Sequence, residues 1–127
     1  MELVTNNEKA VREMRFGWYG DEGLGEALIQ RILLGRKSAT SSPTYDAQEA
    51  DEGDSVKVID KTGKHRCTIK ITRVVIIPWG DIDEAVAKAL GLTLEEAKRA
   101  ANFANSRELT GDETVRISYF ELISKNE

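Results

Sequence analysis

Apolar residues first recur at helical spacing between Asp21 and Leu34, where Leu24, Ala27, Leu28, Ile29, Ile32 and Leu33 make one broad face. Asp21 stands ahead of the stripe as a candidate cap and Gly35 follows at the stop position, so the pattern predicts a core-facing helix over 21–34. Residues 41–54, SSPTYDAQEADEGD, carry turn chemistry and read as a surface loop entering a tight turn at Gly53-Asp54. Alternation then takes over. Val56 and Val58 flank Lys57, Thr62-Gly63 makes a turn, and Cys67, Ile69 and Ile71 alternate with Arg66, Thr68, Lys70 and Thr72. This is a hairpin with one dry and one charged face. The unbroken apolar run from Val74 to Ile77 calls for cover on both faces or a bulge before Pro78 ends the strand.

Two capping-box spacings follow, Asp81 with Glu84 and Thr93 with Glu96, each opening a helix. The first has an apolar stripe of Ile82, Ala85, Val86, Ala89 and Leu90 and stops at Gly91; the second is lined by Ala97, Ala100, Ala101 and Ala104. In the closing strand, Val115 and Ile117 keep one phase while Phe120 and Leu122 keep the other, which places a bulge near Ser118-Tyr119. Clustered helices beside a bent sheet make an α+β fold, not alternating βαβ units.

A chain of 127 residues with 40% hydrophobic and 31% charged residues suits a single domain, 1–127, with one core. No segment approaches the ~18 apolar residues of a membrane span. The opening MELVTNNEKAVREM lacks the order of a secretory signal, and the lone Cys67 has no partner for an internal disulfide, so a reducing cytoplasm is expected. The net charge of −4 argues against coating long duplex DNA. Charge is uneven, however. Ser55 to Arg73 holds six cations against Asp60, a net +5 that leaves −9 elsewhere. Either a solvated strand face or a phosphate-facing stripe accounts for it.

The stretch LGRKSATSS, Leu34 to Ser42, sets two cations and a run of hydroxyls directly after a helix stop. One reading has Gly35 cap the helix while Arg36 and Lys37 complement its dipole. The other has Arg36, Lys37, Ser38, Thr40 and Ser41 line a ligand site. Trp18 and Tyr19 before the helix are candidate stacking partners, Trp79 reads as core, and Tyr45 and Asp46 lie where a loop could reach a ligand. His65 adjoins the hairpin turn and is expected to be solvated; Cys67 lies on the dry phase. Neither these two nor any other grouping suggests a metal site, and no cofactor is implied.

Gly35, Lys37 and Thr40 form G-x-K-x-x-T, and FGWYGDEG, EGDSVKV, HRCTIKITRVVIIPW, DIDEAVAKA and YFELI stand in order around it. Across residues 16–123 the chain resembles a bacterial single-domain ASCH protein of the PUA-like superfamily. The resemblance implies a bent β-barrel with flanking helices, a cleft at the G-x-K-x-x-T segment, and RNA or a small nucleoside as partner. Some relatives remove the acyl group from N4-acetylcytidine with the motif lysine, the motif threonine and a glutamate. Lys37 and Thr40 match the first two. The glutamate position falls at Leu90 here, and Glu84, Glu95 and Glu96 are the nearby acids; Glu84 completes the candidate catalytic set. A protein-interaction module without the ancestral site is the third reading, and the oligomeric state stays open.

Overall fold

The computed structural model describes residues 12–43, 50–105 and 109–125. Along the chain run β1 (Arg12–Arg15), α1 (Leu24–Leu33), β2 (Ala39–Pro43), β3 (Ser55–Ile59), β4 (His65–Pro78), a 3₁₀ turn (Trp79–Asp81), α2 (Glu84–Ala89), α3 (Leu94–Asn105) and β5 (Thr114–Lys125). The five strands form one mixed sheet, ordered β1-β3-β4-β5-β2 and curled into half a barrel. Only β1 runs parallel to its neighbour, β3. The α+β expectation holds, with two additions. Arg12–Arg15 is a strand lying outside the expected 16–123 core. Ala39–Pro43, which takes in the first three residues of the expected 41–54 loop, is a strand paired antiparallel with β5, Thr40 opposite Ser118 and Ser42 opposite Arg116.

The hairpin forms as its alternation requires: Val56, Val58, Cys67, Ile69 and Ile71 are buried, and Asp60 bridges the turn by accepting from the amides of Thr62 and Lys64. The phase change also appears, although the extra residue sits on β4. Ile71 pairs with Phe120 and Arg73 with Tyr119, leaving Thr72 over opposite the Tyr119–Phe120 step. A bulge inserts a residue in one strand and turns the following side chains to the other face. The effect here is to split the core. Phe16, Ile29, Ile32, Val56, Val58, Cys67, Ile69, Ile71 and Phe120 pack under α1, whereas Trp79, Ile82, Ala87, Leu90, Ala97, Leu109, Val115 and Ile117 pack under α2 and α3.

Thr93 and Glu96 make the expected reciprocal capping box: the Thr93 hydroxyl accepts from the Glu96 amide at 3.1 Å, and the Glu96 carboxylate accepts from the Thr93 amide at 3.0 Å. The Asp81–Glu84 box does not form. Asp81 ends the 3₁₀ turn, and Asp83 caps α2 by accepting from Val86 N at 2.9 Å. Ala85, expected on the apolar stripe, is exposed, and Ala87 is buried. His65 is half-buried and shares a 3.0 Å hydrogen bond with Thr68 Oγ1, so its expected solvation is corrected. Ala104 and the loop residues Tyr45 and Asp46 fall outside the described side chains. Among the described residues, no helix is long and apolar enough to cross a membrane.

Candidate functional site

Gly35, at φ +77°, ends α1 in the left-handed conformation that glycine adopts without a Cβ penalty. Its amide donates to Ile32 O at 3.0 Å and the Arg36 amide to Arg31 O at 2.8 Å, a Schellman pair that satisfies two end carbonyls of the helix. The Lys37 amide also donates to Arg31 O, and Ser38 N to Ala89 O at 2.7 Å. The turn is thereby closed on the end of α1 and tied to α2 at Ser38, and Lys37 is buried.

Lys37 is 5% exposed and lies between the two packed clusters. Its Nζ donates to Ala39 O at 2.7 Å and Leu90 O at 3.1 Å and stands 5.8 Å from the centroid of the Phe16 ring. No carboxylate among the described residues offsets the charge. Burial, assisted by the Arg31 charge, lowers its pKa to about 7.

The amine opens onto a cavity of about 360 Å³. Thr40, Ser42, Ser118 and Arg116 lie on one face of the β2–β5 ladder and form a polar wall, with Ser118 only 5% exposed. Phe16, Trp18, Trp79, Leu90, Ala97, Ala101 and Leu109 contribute apolar lining. Arg15, Lys37 and Arg116 line the cavity, while no acid does among the described residues. Cavities at the lower end of the ligand-binding range admit a small molecule of nucleoside dimensions and exclude a duplex.

Trp18, 39% exposed, belongs to a lip held by the buried Asp21. The Asp21 carboxylate accepts from Gly25 N at 2.9 Å, Gly23 N at 3.1 Å and Trp18 N at 3.3 Å, and Lys61 Nζ lies 3.7 Å away. The Gly25 bond leads the effects that hold its pKa below the usual carboxylate value, against the opposing effect of burial. Asp21 thus caps α1 from upstream, and the helix begins at Leu24 instead of Asp21 because Glu22 and Gly23 adopt positive φ around it.

Of the residues marked by sequence, Lys37, Thr40, Ser41 and Trp18 share this cavity. Gly35, Arg36 and Ser38 face a second, more open hollow with Lys88, Thr93 and Glu96. Tyr19 is 75% exposed and stacks near Lys61, whose Nζ is 5.5 Å from the ring centroid. Glu84 is exposed on the first turn of α2 and lines neither hollow. Arg15, Arg116 and Ser118 were not singled out by sequence, and Ser42, though within the marked stretch 34–42, was not assigned to the site. Alternation along a recognised β2 would have found Ser42 beside Thr40, but serines before a proline read as a turn. Among the described residues, no group of three or more His, Cys, Asp or Glu side chains is placed to hold a metal ion. The basic stripe is partly committed: Arg66 binds Glu26 and Asp60, and Arg73 stacks on Tyr119 at 4.4 Å.

The model of the ASCH domain family matches residues 15–124. Among solved structures, protein EF3133 from Enterococcus faecalis V583 is 25% identical with a TM-score of 0.71, over 90% of this chain and 77% of that one. An ASCH domain from Lactobacillus crispatus JV V101 is 21% identical with a TM-score of 0.74, over 95% and 87% respectively. No curated protein matches the chain significantly.

Proposed function

Since this chain belongs to the ASCH domain family, we propose that it is a PUA-like RNA-binding module whose cavity takes a modified nucleoside or a single unstacked base. The observation that carries this reading is that the Lys37 amine and the Thr40 hydroxyl border one cavity beside a half-exposed tryptophan, with no lining carboxylate among the described residues. A base stacks on Trp18, the hydroxyls of Thr40, Ser42 and Ser118 meet its polar edge, and Arg15 and Arg116 attract an attached phosphate. Titration with cytidine, N4-acetylcytidine and a short single-stranded RNA tests it. Trp18→Ala removes a stacking contact worth about 1–3 kcal/mol and lowers affinity by about 5- to 100-fold. RNA binding weakens as salt rises and nucleoside binding does not. Absent binding, or binding indifferent to Trp18→Ala, overturns the reading.

The lowered pKa of Lys37 favours a second reading, hydrolysis of an N4-acyl group. Thr40 Oγ attacks the acyl carbon, its proton passes through the Lys37 amine to the exocyclic nitrogen, which leaves, and a water deprotonated by the same amine then cleaves the Thr40 ester, releasing the carboxylic acid and returning the proton to Thr40 Oγ. Glu84 is too peripheral to serve as the acid in this arrangement. Release of cytidine from N4-acetylcytidine checks the reading; turnover no faster than that of Lys37→Met eliminates it.

A further inference from the structure

Beyond nucleoside binding, we propose that Lys37 is a carbonyl-capturing amine, condensing with a small aldehyde admitted to the cavity to form an imine and release water. The argument begins with hydrogen-bond counting. A neutral amine has two N–H groups and one lone pair, an ammonium three N–H groups and none. Among the described residues Nζ has two acceptors, Ala39 O and Leu90 O, and both belong to the backbone at fixed positions. They satisfy a neutral amine completely and leave its lone pair without a partner. The surroundings agree. No described carboxylate lines the cavity; Arg15 of β1 and Arg116 of β5 do, Arg116 paired with Asp51 Oδ1 at 3.0 Å, and the charge of Arg31 on α1 acts on the amine. The described lining from α3 and from Leu90 and Leu92 ahead of it is apolar. A desolvated amine beside a cation is the environment in which lysine becomes a nucleophile at neutral pH.

The step balances within the cavity. The lone pair forms the N–C bond to the aldehyde carbon and one amine proton moves to the aldehyde oxygen, giving a carbinolamine. Protonation of that oxygen expels water and leaves an iminium with a single N–H, which keeps the shorter bond to Ala39 O. Loss of that proton yields the imine. Thr40 and Ser118, as hydroxyls on the same wall, are placed to donate to the aldehyde oxygen as it gains charge.

Reductive trapping tests the proposal on the native protein. Propionaldehyde with cyanoborohydride at pH 7, followed by peptide mapping, reads out the propyl adduct on each lysine. The expected result is an adduct on Lys37 at least about tenfold above those on the exposed Lys64 and Lys70, since ordinary lysines are almost wholly protonated at that pH. In denaturing urea the preference disappears. Lys37→Met, which removes the amine, loses the adduct and leaves surface labelling unchanged. Labelling confined to surface lysines, or equal on all, overturns the inference. The site is shared with the proposed nucleoside cavity, but the trapping uses no nucleoside. Its failure therefore leaves the titrations with cytidine standing, and theirs leaves it standing.

Discussion

An amine shut away from water destabilises the fold wherever the unfolded chain can hold a proton that the folded chain rejects, and Lys37 is in that position. Its folded pKa is about 7 against 10.5 when exposed, so between those values the unfolded state binds more protons and stability rises with pH. Below about pH 7 both states are protonated and the slope vanishes. The full span corresponds to roughly 5 kcal/mol at 1.36 kcal/mol per pKa unit. Urea unfolding of the wild type against Lys37→Met, from pH 7 to 10, measures it. The methionine strands the carbonyls of Ala39 and Leu90 at every pH, and the wild type alone gains stability as pH rises. A difference that stays flat removes the buried-amine account. At this scale the sequence sets Lys37 and Thr40 three residues apart after a glycine stop, and both line the cavity. It could not foresee that the lysine points between two clusters, since that direction comes from the Ser38–Ala89 and Lys37–Arg31 bonds to segments remote in the chain or around the helix end. Asp21 was legible as a cap and not as a buried clasp, because its partners are backbone amides that any residue supplies.

Elements meet around the cavity through contacts that tolerate almost no side chain. A Cβ on Gly25 would stand 2.3 Å from Gly17 Cα and 2.8 Å from Phe16 C, both backbone atoms that cannot swing aside. Gly25→Ala therefore pushes the Trp18 lip off α1, destabilising by about 1–3 kcal/mol through overpacking and weakening nucleoside binding with it. Gly35→Ala is the comparison. Nothing lies within 4 Å of its Cβ, so it meets only the backbone strain of its positive φ, about 1–2 kcal/mol, and leaves the lip in place. Urea midpoints and cytidine affinity for the two variants separate these effects; equal loss of affinity in both would refute the clasp. The hairpin, α1 and α3 were readable because local pattern and tertiary burial agree in them. β1 and β2 were not. Each is short, and each becomes a strand only by pairing with a distant partner, β3 in one case and β5 in the other. The cap of α2 moved from Asp81 to Asp83 because the 3₁₀ turn after Pro78 absorbs the intervening residues, and two acids spaced by one residue offer no local means of choosing between them.

Over the whole molecule, the division of the core into two clusters raises the question of whether they unfold together. β4 gives Cys67, Ile69 and Ile71 to the first and Val75 and Ile77 to the second, and β5 gives Phe120 to the first and Val115 and Ile117 to the second. Because the same two strands run through both, neither cluster can lose its sheet without exposing the other. A single cooperative transition follows. Two native reporters are placed to check it: Cys67, wholly buried in the first cluster, becomes reactive toward a disulfide reagent when that cluster opens, and Trp79 fluorescence, read in Trp18→Phe, reports the second. Their midpoints in urea coincide. A ligand seated between the clusters stabilises both alike, by about 2.7 kcal/mol at a free concentration one hundred times its Kd, so the two curves move together. If the Cys67 thiol became accessible well before Trp79 changed, or if cytidine shifted one curve alone, the cavity would belong to one half of the molecule and the seam would not be its binding site.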